Sequence, residues 1–266
     1  MILSPGGRRY GYQRDSPDHR DLGIGSMKLA IPPTLPSALG LEIWCGPVKN
    51  QGSLGACTAF AGCGNREFLA RKYENRSPVL SPLFLYYMER QLDGTLVKGD
   101  AGSSGRTDCR AMNQFGICEE TEESYDPANY QIAPTATQVQ AAGVYKAGAY
   151  HNIGSVQDMK LCLASGYCVL IGFAVYSSFE GSGIAANGLM PMPSASEQML
   201  GGHEVLVIGY DDSVVGPSKT TGAFFVRNSW GSGWGDGGNF WMSYEFAANS
   251  SYLWDAWVQH LGKPWA

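Results

Sequence analysis

The spacing of apolar residues changes character near the middle of this chain. Across residues 57–73, Phe60, Cys63, Leu69 and Tyr73 fall with small residues at helical spacing, and the pattern ends near Asn75-Arg76-Ser77-Pro78, where the restriction on the residue before proline stops a helix. Ser81 followed by Pro82 reads as the N-cap and first position of a second helix running to about Arg90. Residues 106–115 carry a third, weaker helical pattern that closes at Gly116. Beyond them, residues 150–153, 167–176, 203–210, 222–227 and 239–243 are short apolar runs, often β-branched, separated by Gly, Ser, Asn and Pro. These predict strands of an antiparallel sheet or barrel, with one helix over 156–164 ending at Ser165-Gly166. Helices followed by strands imply an α+β protein of two lobes, one mainly helical over about 35–135 and one barrel-like over about 136–266, with a cleft between them.

Residues 1–34 stand apart. Pro, Gly, Arg, Asp and Ser dominate, no apolar period is sustained, and the segment closes on Ile31-Pro32-Pro33-Thr34. Too short for a core of its own, such an arm extends to about 110 Å, enough to cross the face of a domain this size.

Composition narrows the function. With 266 residues, 44% of them apolar and 12% aromatic, the chain can bury a large core. Its net charge of −5 and the lack of a Lys/Arg cluster argue against a nucleic-acid partner. The longest apolar run, 167–176, is far shorter than the roughly 20 residues needed to cross a bilayer, so no membrane span is expected. The first residues offer no apolar stretch after a basic start, so no secretory signal is visible, and a cytoplasmic location or export by another route is expected, as is a monomer. Seven cysteines (45, 57, 63, 109, 118, 162, 168) leave at least one thiol unpaired, and Cys57 is the natural candidate. No Cys-x-x-Cys pair occurs and the four histidines are scattered, so no metal or other cofactor is expected and the thiols are expected mostly reduced.

The candidate chemistry centres on Cys57, in Gln51-Gly52-Ser53-Leu54-Gly55-Ala56-Cys57, a glycine-punctuated turn entering the first helix. His203, in Gly201-Gly202-His203-Glu204, and Asn228, in Asn228-Ser229-Trp230-Gly231, follow in that order. A thiol nucleophile, an imidazole base and an amide that orients the base are the parts of thiol-based acyl transfer. A helix start and an adjacent imidazolium both favour the thiolate, so a poised anion at Cys57 is expected. Gln51 lies close enough in sequence to aim its side-chain amide at a developing oxyanion together with the Cys57 backbone N–H. Glu204, next to His203 on a strand, is expected on the opposite face in a structural role.

These segments resemble the papain-like cysteine proteases, from Leu35 to about Tyr244. The resemblance rests on Pro47-Val48-Lys49-Asn50-Gln51-Gly52-Ser53 with Gly55 and Cys57, on the Gly202-His203 strand ending in Gly209-Tyr210-Asp211, and on Asn228-Ser229-Trp230-Gly231-Ser232-Gly233-Trp234-Gly235. It implies Cys57 as nucleophile, His203 as base, Asn228 as partner of the second imidazole nitrogen, Gln51 as oxyanion donor, Trp230 as a ring shielding the His–Asn bond and Trp234 as a wall on the leaving-group side. Substrate contacts are expected from Gly102, Ser103 and the open wall at Gly202. Protein or peptide substrates follow. Two departures stand out: Leu54 replaces a disulfide cysteine of the family, and Asp100-Ala101-Gly102-Ser103-Ser104-Gly105 replaces its cysteine-bearing stretch, as if one bridge were missing whole. The combination resembles prokaryotic or ancient members of the family. An endopeptidase is the leading expectation, with residues 1–34 either a short inhibitory segment in the groove or a flexible, side-packed arm; the alternatives are a catalytically silent papain-fold binding protein and an acyl transferase using the same thioester.

Overall fold

The computed structural model describes residues 3–30 and 32–261; Met1, Ile2 and Ile31 of the arm and 262–266 of the second lobe lie outside the described residues. Seven α-helices occur among them: α1 (Cys57–Tyr73), α2 (Pro82–Leu92), α3 (Gly105–Gln114), α4 (Ala136–Ala142), α5 (Val156–Ala164), α6 (Ser182–Asn187) and α7 (Tyr244–Ala248). The strands are β1 (Ala38–Gly40), β2 (Tyr150–Asn152), β3 (Val169–Tyr176), β4 (Met199–Val215), β5 (Thr221–Arg227), β6 (Asn239–Ser243) and β7 (Leu253–Gln259). They form one antiparallel sheet in the order β2-β7-β3-β4-β5-β6, with β1 paired to β4. The fold is α+β, with two lobes.

Helix α1 is the structural centre. Thirteen of its residues, from Cys57 to Ala70, are buried on all sides, including Asn65, Arg66 and Glu67, so its lack of an amphipathic stripe follows from position rather than weak propensity. It packs against α2 and α3 on one side and against β4 on the other. Ser81 caps α2 by accepting from the Phe84 N–H, and Ser104 caps α3 by accepting from the Thr107 N–H. By contrast, Ala56 gives α1 no side-chain cap, which leaves the helix's first N–H groups to whatever enters the cleft.

Strand β4 runs well beyond the expected 203–210. Its ends, with Gly201-Gly202 and Asp211-Asp212, have poor strand propensity, but pairing with β3, β5 and β1 extends the ladder through them. Strand β7 was not expected at all, and Asp255 in its middle explains why the run did not read as a strand. The seven thiols are all unpaired, Cys45 half-buried and the rest buried.

Candidate active site

His203 lies on β4 and Asn228 immediately follows β5, the strand paired to it. The imidazole Nε2 donates to Asn228 Oδ1 at 2.8 Å, and the same oxygen accepts from the Ser229 N–H at 2.8 Å. This fixes the tautomer and leaves Nδ1 as the proton acceptor, buried and without a hydrogen-bond partner among the described residues. Trp230 stacks over the imidazole, with ring centroids 5.2 Å apart and planes at 27°. Trp234 packs edge-on against Trp230 at 4.9 Å, largely buried with Phe179, so it backs the shielding ring.

Cys57 opens α1 and is fully buried. Burial pushes its thiol up to about 12, with Glu204 and Glu89 adding to the rise, while N–H groups of Glu204 and Thr58 favour the anion. His203 moves the other way, down to about 4, chiefly through burial and further through the Arg8 cation, with the Asn228 bond opposing. Both shifts favour neutral groups. Burial thus works against the thiolate and imidazolium expected from the sequence, opposing the help that a helix start gives the anion.

Gln51 is held from both sides. Its backbone N–H donates to the Ser229 carbonyl at 2.9 Å, its side-chain oxygen accepts from the Ser229 hydroxyl, and its Nε2 donates to the Leu54 carbonyl at 3.0 Å. With the oxygen committed, the second N–H of Nε2 is the group left to donate.

Asp100 stands near the position of the missing bridge. Its carboxylate accepts from the Gly55 N–H at 3.1 and 3.0 Å, from the Tyr86 hydroxyl at 2.5 Å and from Arg9 at 3.1 Å. Hydrogen bonds thus tie the loop before Cys57 to the 100–103 loop. Asp100→Ala is expected to cost about 3 kcal/mol, since charge-assisted bonds to buried donors are lost together; urea denaturation measures it, and a loss under about 1 kcal/mol would show that the tie is dispensable.

The arm contributes contacts that the sequence did not reveal. Tyr12 donates from its backbone to the Gly202 carbonyl at 3.1 Å, while Ser103 donates to the Gly11 carbonyl at 3.1 Å and accepts from the Gln13 N–H at 2.8 Å. The ladder runs through Gly202 and Ser103, both expected as substrate contacts. Gly102, at φ +73°, leaves room for the arm: a Cβ there would lie 1.7 Å from the Gly11 carbonyl oxygen. Arg8 sits 3.9 Å over the Trp230 ring, Tyr10 meets His203 edge-on at 6.1 Å, and Glu180 accepts from Ser4, Gly6 and Tyr10. The Tyr12 hydroxyl donates to Asp255 at 2.8 Å, and its ring stacks on Trp254.

The arm makes two sets of contacts. Arg106 bonds Asp15, Asp21 and the Ser16 carbonyl, and beyond these Leu22 accepts from the Asn152 N–H at 2.7 Å while Met27 is buried in the core. Residues 4–13 touch the site; residues 22–26 pack along β2, and Ala30 accepts from the Ser165 hydroxyl. Glu180, Gly172, Trp254 and Asp255 escaped sequence reading, although two tyrosines around a glycine at 10–12 in a polar tail were a usable signal.

Comparison with known proteins agrees with this geometry. The profile of the papain family cysteine proteases matches residues 41–253. An uncharacterized peptidase C1-like protein of Acanthamoeba polyphaga mimivirus is 33% identical, spanning 97% of this chain and 88% of its own length. Xylellain, a cysteine protease from Xylella fastidiosa, superposes with a TM-score of 0.83 at 30% identity, covering 99% of this chain and 100% of that one. Digestive procathepsin L 3 of Tenebrio molitor larval midgut shares the fold, with a TM-score of 0.69 at 18% identity over 95% of this chain and 76% of its own. With the family profile spanning most of the sequence and two relatives matched along nearly all of it, the chain belongs to the papain family and is a cysteine-type peptidase.

Proposed function

We propose that the chain is an endopeptidase that cleaves through a Cys57 acyl-enzyme, and that residues 4–13 hold it inactive until they leave the groove. The observation that carries the reading is the 2.8 Å bond from His203 Nε2 to Asn228, which presents Nδ1 as a base on the lobe that faces the uncapped start of α1. Cys57 gives its proton to Nδ1 and its sulfur attacks the peptide carbonyl carbon. The oxyanion takes hydrogen bonds from the Cys57 N–H and the second N–H of Gln51 Nε2. His203 then passes the proton to the leaving amine as the C–N bond breaks, and a water molecule, deprotonated by His203, hydrolyses the thioester.

Inhibition by the arm is supported by its backbone bonds to Gly202 and Ser103, the groups expected to grip a peptide, and by Gly11 lying against Gly55. Labelling with a thiol-directed epoxide tests the nucleophile. The adduct should map to Cys57 alone among the seven cysteines, and form faster after the arm is displaced; modification elsewhere with Cys57 untouched would sink the assignment.

A further inference from the structure

Tyr12 is only 4% exposed although it belongs to a polar arm. The slot that holds it is built from three adjacent strands. Gly172 on β3 pairs with Glu204 on β4 and with Asp255 on β7, so a carboxyl, a gap and a second carboxyl stand in one row on one face of the sheet. The gap is deep: a Cβ at Gly172 would fall 1.9 Å from Tyr12 Cζ and 2.3 Å from its hydroxyl oxygen. Trp254 forms the wall, its ring centroid 6.3 Å from that of Tyr12 and its plane tilted by 25°. Gly202 completes the fit, because a Cβ there would meet the Trp254 ring and the Tyr12 carbonyl oxygen, each at 2.6 Å. At the far end Asp255 accepts the hydroxyl, and Glu204 lies close enough for its charge to bear on the phenol.

We propose that, once the arm leaves, this slot selects a tyrosine side chain of the substrate, its hydroxyl read by Asp255. The proposal rests on the protease reading above. Phenylalanine would fill the slot but leave the half-buried Asp255 carboxyl with the Asp15 N–H alone and no hydroxyl donor, a loss that a site built around a hydroxyl punishes. Leucine would forgo the stacking on Trp254. Burial pushes Asp255 and Glu204 up, so the row holds a neutral donor better relative to a cation than two fully ionised carboxylates would.

The test uses the full chain carrying Tyr12→Gly, which vacates the slot, together with Cys57→Ala, which prevents turnover. Fluorescent peptides identical except for Tyr, Phe, Leu or Arg at one position, varied in turn along the sequence, are titrated against it. At one position Tyr should bind at least about tenfold tighter than Phe. Asp255→Ala should bring the two within about twofold, and Gly172→Ala should weaken both. Equal affinity for Tyr and Phe at every position, or tightest binding of Arg, overturns the assignment. The same peptides offered to the Tyr12→Gly chain with Cys57 intact separate the two claims: hydrolysis without tyrosine preference removes the pocket, whereas tyrosine-selective binding without hydrolysis of any peptide removes the protease reading. Should Tyr12→Gly fail to fold, Tyr12→Phe in the otherwise intact chain serves, with epoxide labelling of Cys57 expected to speed up about tenfold and an unchanged rate counting against the pocket.

Discussion

Cys57→Ala should lower kcat/KM for peptide hydrolysis by about a million-fold, the scale seen when the nucleophile of such a cooperating set is removed. The loss falls on kcat, because Gln51 and the groove still bind the peptide and its carbonyl, whereas no sulfur remains to form the thioester. Asn228→Ala should cost less, since the imidazole survives with its orientation loosened. Burial of Nε2 next to Trp230 then leaves a donor with no acceptor, and the ring can turn. Steady-state kinetics on the protein with its arm displaced measures both. Residual turnover within a hundredfold of the parent after Cys57→Ala would show that another group attacks the peptide.

Removing residues 1–13 should raise turnover of a small peptide by about a hundredfold. A tethered segment competes at an effective concentration on the order of millimolar, so an intrinsic affinity of about ten micromolar suffices for that ratio. Residues 22–30 must stay, because Met27 is part of the core and Leu22 bonds Asn152 on β2. The same deletion should change the titration of the active pair. In the closed state the thiol sits at about 12 and the imidazole at about 4, both neutral at pH 7. Readmitting water stabilises both charged forms and removing Arg8 favours the imidazolium, so the Cys57 value should fall and the His203 value rise. Alkylation of Cys57 followed against pH reports the shift: the full chain should react appreciably only in strong base, the shortened chain near neutrality. Identical profiles and equal turnover would end the inhibition proposal.

Much of the architecture was legible because local signals and tertiary context agreed. Ser81-Pro82 announced α2, the restriction before Pro78 closed α1, and the apolar run of β3 read as a buried strand. Helix α4 was missed although Thr135 and Gln138 form a capping box, a signal present in the sequence but outweighed by the lack of an apolar stripe. Strand β7 was illegible for a different reason. Its Asp255 contradicts strand propensity and is explained by the donors it receives from the arm, the Tyr12 hydroxyl and the Asp15 N–H. The candidate nucleophile, base and amide could be named because each lies in a short local motif. The slot was not, since Gly172, Trp254 and Asp255 become neighbours only through strand pairing, and no single stretch carries their spacing.

The Asp100 tie has a practical consequence. A thiol enzyme works only while its sulfur is reduced, and strong reductants that keep it so also open disulfides. Here the groove rim is fastened by carboxylate hydrogen bonds to Gly55 and Tyr86, which dithiothreitol cannot cleave. Reductant concentration should therefore set how much of the catalyst is live without altering the shape of the channel that receives its substrate.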